Sequence, residues 1–394
     1  MTGHVYEYLA SLLIVSVIFI TATNVLPNVG YVNLLAVDQQ QLRNAATQAF
    51  NTILLETGYP TDWGTILDAN YQFDPSSVTR FGLASAEESS FYVLDPEKVQ
   101  RLVPNDPIGS ISYNQVRSLL ELEEYGFSLK IIPPFNVTML KDEFTLSSSQ
   151  ISLDFDVKVL YNDGRPIAGA LVDATIIYMT KQGGNTAKFY AVVEKNSTDS
   201  IGLCYFDKTI NAPGGETMTS AIIVFRVTVA DLSSIVLTYQ STPPNNVANI
   251  NIVGDEVILS IPDQPPSPPN NARWVDFIVV FDGKSFSFIH NGTRSNDDKL
   301  NYGGGSPFKI WNKNYPGLHY QDKVFLLFSF WTVQPGGGRT SVLIAGPNPA
   351  WQGNRLLQYG DANGPRNAGA ALTLQRTVSI AGTTYIAELT FWKE

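Results

Sequence analysis

From Tyr8 to Val37 the chain runs for thirty residues without one Asp, Glu, Lys or Arg. Such a stretch must be surrounded by something apolar. A membrane-spanning helix needs about 20 apolar residues, and Tyr8 to Leu26 supplies that many. A cleaved export signal has a basic leader, an apolar stretch of roughly 7–15 residues and a small-residue cleavage site. Here the leader "MTGHVYE" has no Lys or Arg, the run is longer, and the first basic residue is Arg43, so flanking positive charge does not orient it.

Pro27 and Gly30 interrupt the run, "YVNLLAV" resumes it, and "DQQQLRNAATQAFNTILLE" continues with helical spacing. Leu35, Leu42, Ala45, Ala46, Ala49, Phe50, Ile53 and Leu54 recur at helical steps and form one apolar stripe. Gln39, Gln40, Arg43, Asn44, Gln48 and Asn51 fill the other face. The pattern predicts one long N-terminal hydrophobic α-helix from Val5 to Glu56, bent near Pro27 to Gly30 and stopped by Gly58 and Pro60. At 1.5 Å per residue its length is roughly 75 Å, more than a bilayer requires. Glu7 has two readings. In the headgroup region its carboxylate costs little; buried among apolar helices it needs a cation from a neighbouring chain.

The "TG" before the apolar run, Glu7 near its start, Pro27 within it and the amphipathic continuation resemble archaeal type IV pilin-like surface proteins with class III signal peptides. The blocks "TILLETGYPTDWG", "TRFGLASAEESSFYVLDPEKVQRLV" and "YGFSLKIIPPFNVTM" extend the resemblance to Met1–Met139. It implies cleavage by a prepilin peptidase beside Gly3, membrane insertion before assembly, and helices that then bundle as a filament core. Glu7, Leu9, Leu12, Leu13, Val17, Phe19, Ile20 and Pro27 become the expected intersubunit contacts, with Glu7 as the intersubunit charge. The basic leader usual in that family is missing here.

The expected fold class is α+β, mostly β. Residues 1–57 form the helix and 58–148 a small α/β head. In the head, "SYNQVRSLLELEE" predicts a helix with Ser112 as N-cap, "LDPEKVQRLV" a shorter one, and "FSLKIIPPFNVTML" a strand broken at Pro133 and Pro134. Residues 149–261 alternate with period two and carry regular turn clusters, which predicts an immunoglobulin-like β-sandwich. Within it "NDG" reads as a hairpin turn, and "NDGRPIAGALV" resembles surface Ig-like and carboxypeptidase-regulatory-like spacer domains. "PDQPPSPPNN" makes 262–271 a Pro-rich linker, and 272–394 is expected to be a C-terminal β-sandwich-like domain.

Chemistry is sparse. A net charge of −10 and a pI near 4.9 speak against a nucleic-acid partner. Cys204 is the one cysteine and lies in the apolar run "IGLCYFD", which reads as core. Asp297 and Asp298 read as turn residues, and Asp361 and Asn363 lack the terminal acid of a calcium loop. Trp351 reads as packed under its own loop, with sugar stacking as the alternative. No acid–base constellation or metal motif appears, so neither an enzyme nor a bound cofactor or metal is expected. Asn136, Asn196 and Asn291 begin N-x-S/T sequons and are candidate N-glycosylation sites. The functional expectation is a structural subunit of an extracellular type IV pilus-like filament, its β domains facing outward for surface contact. Its partners are copies of itself, the membrane before assembly, and a glycan or cell-surface ligand. The alternative is a membrane-anchored surface adhesin or glycan-binding protein held by a single helix.

Overall fold

The computed structural model describes residues 13–16, 38–239, 249–262, 273–346 and 357–394, apart from short intervals inside these ranges. Helix α1 covers residues 38–55. Of the predicted stripe it buries Leu42, Ala46, Ala49, Phe50, Ile53 and Leu54 and half-buries Ala45, Leu35 lying outside the described residues, and it exposes Arg43, Asn44, Gln48 and Asn51. Each large apolar side chain so buried contributes roughly 1.5–3 kcal/mol. Gly58, at φ +74°, follows the helix where the sequence puts its stop. The block "FGLAS" then crosses the helix end. Leu83 N–H donates to Ile53 O at 2.8 Å and Ala84 N–H to Glu56 O at 3.0 Å. These bonds satisfy carbonyls that a helix C-terminus otherwise leaves unpaired. Only glycine fits at position 82, where a Cβ would lie 2.1 Å from Glu56 O.

The head continues with β1 (Val93–Leu94), α2 (Pro96–Gln100), α3 (Tyr113–Leu119) and β2 (Tyr125–Ile132). Ser112 caps α3 as expected, accepting from Gln115 N–H at 3.3 Å. Pro133 and Pro134 end β2, and the chain leaves the head there.

A sandwich follows: β3 (Phe135–Leu146), β4 (Gln150–Tyr161), β5 (Leu171–Gln182), β6 (Thr186–Ser197), β7 (Leu203–Asn211), β8 (Thr217–Val229) and β9 (Leu232–Tyr239). One sheet has the order β3-β4-β7 and the other β6-β5-β8-β9, an immunoglobulin-like arrangement. The sandwich thus begins at Phe135 rather than at 149. The "NDG" turn forms, with Gly164 at φ +85° and Tyr161 N–H donating to Arg165 O at 2.8 Å. It leads from one sheet into the other, so β4 and β5 are not ladder partners. Ile151, Leu153, Phe155, Val157 and Val159 alternate into the core opposite Val172, Ala174 and Ile176. On the far face of the second sheet Ile177, Met179, Ile222 and Val224 are buried too.

Beyond it lie β10 (Asn249–Val253), β11 (Glu256–Pro262), β12 (Arg273–Phe281), β13 (Phe286–Asn291), β14 (Asn301–Tyr302), β15 (Phe308–Asn314), β16 (Phe325–Val333) and β17 (Arg339–Gly346). They form two four-stranded sheets, β10-β11-β15-β14 and β13-β12-β16-β17. The expected boundary at 262–271 is bridged by a ladder, because β11 pairs with β15 from Glu256↔Asn314 to Pro262↔Phe308. β17 runs against β8, and Phe189 meets Phe286 and Phe288 at 6.0 and 5.5 Å, so the second sheet of the sandwich is flanked by this lobe.

From residue 357 onward the chain returns to the head. β18 (Leu357–Gly360), β19 (Ala371–Ile380) and β20 (Thr383–Lys393) complete a sheet of order β1-β19-β20-β2-β18. β20 is central and pairs with β2 from Tyr125↔Lys393 to Ile132↔Ile386. One face of the sheet aligns Tyr359, Leu129, Leu389 and Leu374, and its buried side chains join the core that holds the α1 stripe. The other face aligns Lys130, Glu388 and Gln375, with Gln375 Nε2 donating to Glu388 at 2.8 Å. The stretch 272–394 therefore divides between two outer sheets and the head, instead of standing as one C-terminal domain. The outer lobes are an insertion into the head, between β2 and β18.

The chain is mostly β, as expected, but the long N-terminal hydrophobic helix is corrected. Helix is present at 13–16 and 38–55, and among the described residues no helix is long and apolar enough to cross a membrane. The physical reason lies in α1. Its apolar stripe packs on the chain's own sheet, so it belongs to the head rather than to a free rod.

Candidate functional site

Of the expected intersubunit contacts, Leu13 is described; Glu7, Leu9, Leu12, Val17, Phe19, Ile20 and Pro27 lie outside the described residues. In the helical turn 13–16, Leu13, Ile14 and Val15 are 64%, 59% and 64% exposed. Three consecutive apolar side chains are thus left largely uncovered by their own chain, while the α1 stripe is fully covered. Residues 38–55 thus serve the head, and the turn 13–16 offers apolar surface outward.

The three sequons differ. Asn136 is exposed on β3 and Asn291 is exposed at the end of β13. Asn196 is exposed on β6, yet its side chain is engaged: Nδ2 donates to Tyr205 O at 2.8 Å and Oδ1 accepts from Ser197 N–H at 2.8 Å. This bond joins edge strands of the two sandwich sheets. Thr198 of the same sequon is buried, its hydroxyl donating to Ile167 O at 2.7 Å and accepting from Ala170 N–H at 2.8 Å.

Cys204 lies buried in the sandwich core, where burial pushes its thiol up to about 12. Asp297 is exposed, and its carbonyl accepts from Trp311 Nε1 at 2.8 Å. Trp351, Asp298 and Asn363 lie outside the described residues, so Asp361 is placed without its Asn363 neighbour. Among the described residues no group of three or more His, Cys, Asp or Glu side chains is placed to hold a metal ion.

One cluster was not foreseen. "DPEKVQR" is dense in charge and reads as a solvated helix end, yet Glu97, Lys98, Gln100 and Arg101 are all buried. Asp95 caps α2, its Oδ1 accepting from Glu97 N–H at 2.9 Å and Lys98 N–H at 3.3 Å. Lys98 Nζ donates to Ala84 O at 2.8 Å and stands 3.4 Å from Asp95 Oδ2. Arg101 donates to Gly109 O at 3.1 Å, stands 3.5 Å from Asp106 and lies over the Phe73 ring. Glu97 accepts from Gly254 N–H at 2.9 Å, in the β10–β11 turn. Burial raises the Glu97 carboxyl to about 8, with Asp95 adding to the effect. The sequence signal that goes with this burial is Gly64 in "DWG", where a Cβ would lie 2.6 Å from Lys98 N. It lets α2 sit against the buried Trp63 turn.

No family model and no curated protein matches the chain. Among solved structures, red sea bream transglutaminase aligns with 59% of this chain and 32% of its own length, at 10% identity and a TM-score of 0.17. The chain thus spans about a third of that protein, and nothing is carried over at that level of likeness.

Proposed function

We propose that this protein is a structural subunit of an extracellular, pilus-like filament. Its uncharged N-terminal segment meets the same segment of neighbouring copies, and its inserted β lobes face outward for surface contact. The observation that carries the reading is the uncovered apolar turn at Leu13–Val15, within thirty residues that hold no charge. Apolar surface left in water costs roughly 25 cal/mol per Å², so a partner must cover it. The architecture fits display. The head places both its chain entry and its last strand in one core, and the lobes hang from it between β2 and β18. Catalysis has no part in this reading, and the candidate glycans sit at Asn136, Asn196 and Asn291.

A second reading, a monomeric adhesin held by lipid, is favoured by one observation: from Leu42 to Leu54 α1 packs its stripe on its own head rather than on sister helices. Purified full-length chain, freed of detergent and viewed by electron microscopy and sedimentation, separates the two. Filaments support the first. A monodisperse chain that stays soluble without detergent, or partitions singly into liposomes, overturns it.

A further inference from the structure

We infer that Glu97 is a pH-sensitive latch between the head and the outer β lobe, closed while its carboxyl carries a proton and loosened when it ionises. The contact is placed for this. Glu97 stands on α2 in the head and accepts its hydrogen bond from Gly254 on the lobe, 2.9 Å away. Val253 and Ile258 of the same hairpin are buried in the head core, so the seam is apolar around the bond.

Charge balance singles out this residue. Three buried or half-buried carboxyls and two buried cations share α2 and its surroundings. Asp95 pairs with Lys98 and Asp106 with Arg101, at 3.4 and 3.5 Å. Among the described residues no cation stands within ion-pair distance of Glu97. The remaining groups do not supply one. From its own helix Asp95 repels it, and Arg101 attracts it from beyond ion-pair range; from the preceding loop Glu87 repels it. Asp62, near the Trp63 turn, acts on Lys98. From the hairpin come Asp255, whose Oδ1 is buried without a hydrogen-bond partner, and Glu256, which accepts from Asn312 Nδ2 at 2.6 Å. Every ionisable group the hairpin brings to the seam is thus acidic. A buried carboxyl with no compensating cation holds its proton; burial and Asp95 together outweigh the Gly254 N–H, which by itself favours the ionised form, and the net rise is to about 8. Ionisation then puts a charge into an apolar seam, which the structure relieves by opening the hairpin toward water.

Hydrogen exchange of full-length protein, corrected for intrinsic rate, tests this on peptides covering 249–262. Between pH 5 and 8 their protection is expected to fall about tenfold or more, while peptides from β8 in the sandwich hold steady. Glu97→Gln keeps an acceptor without the titration, so its protection is expected to stay flat over the same range. A flat wild-type profile overturns the inference, and so does a Glu97→Gln profile that falls in parallel. Should Glu97→Gln fail to fold, 13C titration of the Glu97 carboxyl in wild type reads the same event. A midpoint in the ordinary carboxylate range overturns the inference there.

Discussion

Leu389 tests whether the end of the chain belongs to the head. Its side chain is fully buried on the central strand β20, flanked by Leu129 of β2 and Leu374 of β19. Leu389→Ala removes three carbons, about 0.8 kcal/mol each. The cavity left in a core shared with α1 adds to this, which brings the loss to about 3 kcal/mol. Since about 1.4 kcal/mol is a factor of ten, exchange protection in a head that opens as a unit falls roughly 150-fold. Hydrogen exchange with mass spectrometry reads this by peptide. The loss is expected in β2 and β20 and equally in helix 38–55, although that helix is remote in sequence. Peptides from β4, β5 and β8 are expected to keep their protection, because the sandwich has its own core. If only the residues after 357 lose protection while helix 38–55 is unchanged, the shared core is wrong.

Three further outcomes follow from particular contacts. At Gly126 a Cβ would lie 2.4 Å from the Trp392 ring, so Gly126→Ala is expected to cost about 1–3 kcal/mol, with a shift in tryptophan fluorescence before any unfolding. Thr198→Val leaves Ala170 N–H and Ile167 O without their partner and is expected to cost about 2–4 kcal/mol by thermal or denaturant melting, with Thr198→Ser restoring most of it. The Cys204 thiol is expected to resist thiol reagents at pH 8.5 until the sandwich unfolds. Its raised value means the folded state holds the proton longer, so this group's contribution to stability declines as pH climbs from 9 toward 12, and a native thiol that reacts within minutes refutes its placement.

The strands were legible and their partners were not. "TTYIAELTFW" alternates so regularly that a half-buried strand follows from period two alone, and β20 lies there. Nothing in those residues names β2 as a neighbour, because ladder pairing is set by two sequences at once. The Pro-rich stretch read as a domain boundary because composition reports local stiffness and not what lies on either side of it. For the helix, spacing from Leu35 to Leu54 marks an apolar stripe, but an apolar stripe does not say whose surface covers it. The Glu97 cluster was invisible for the opposite reason. Charged side chains in sequence read as solvated, and only Gly64 marked how closely α2 is approached.

The placement of β20 fixes an order of events during synthesis. The helix and β2 leave the ribosome early, but their sheet has no middle until β20, Thr383–Lys393, arrives. The sandwich, whose partners are all near in sequence, has long since been free to fold. Newly made chains therefore pass through a stage with finished outer lobes and a half-built base. A chain halted before Thr383 would carry the decoration without the platform that supports it.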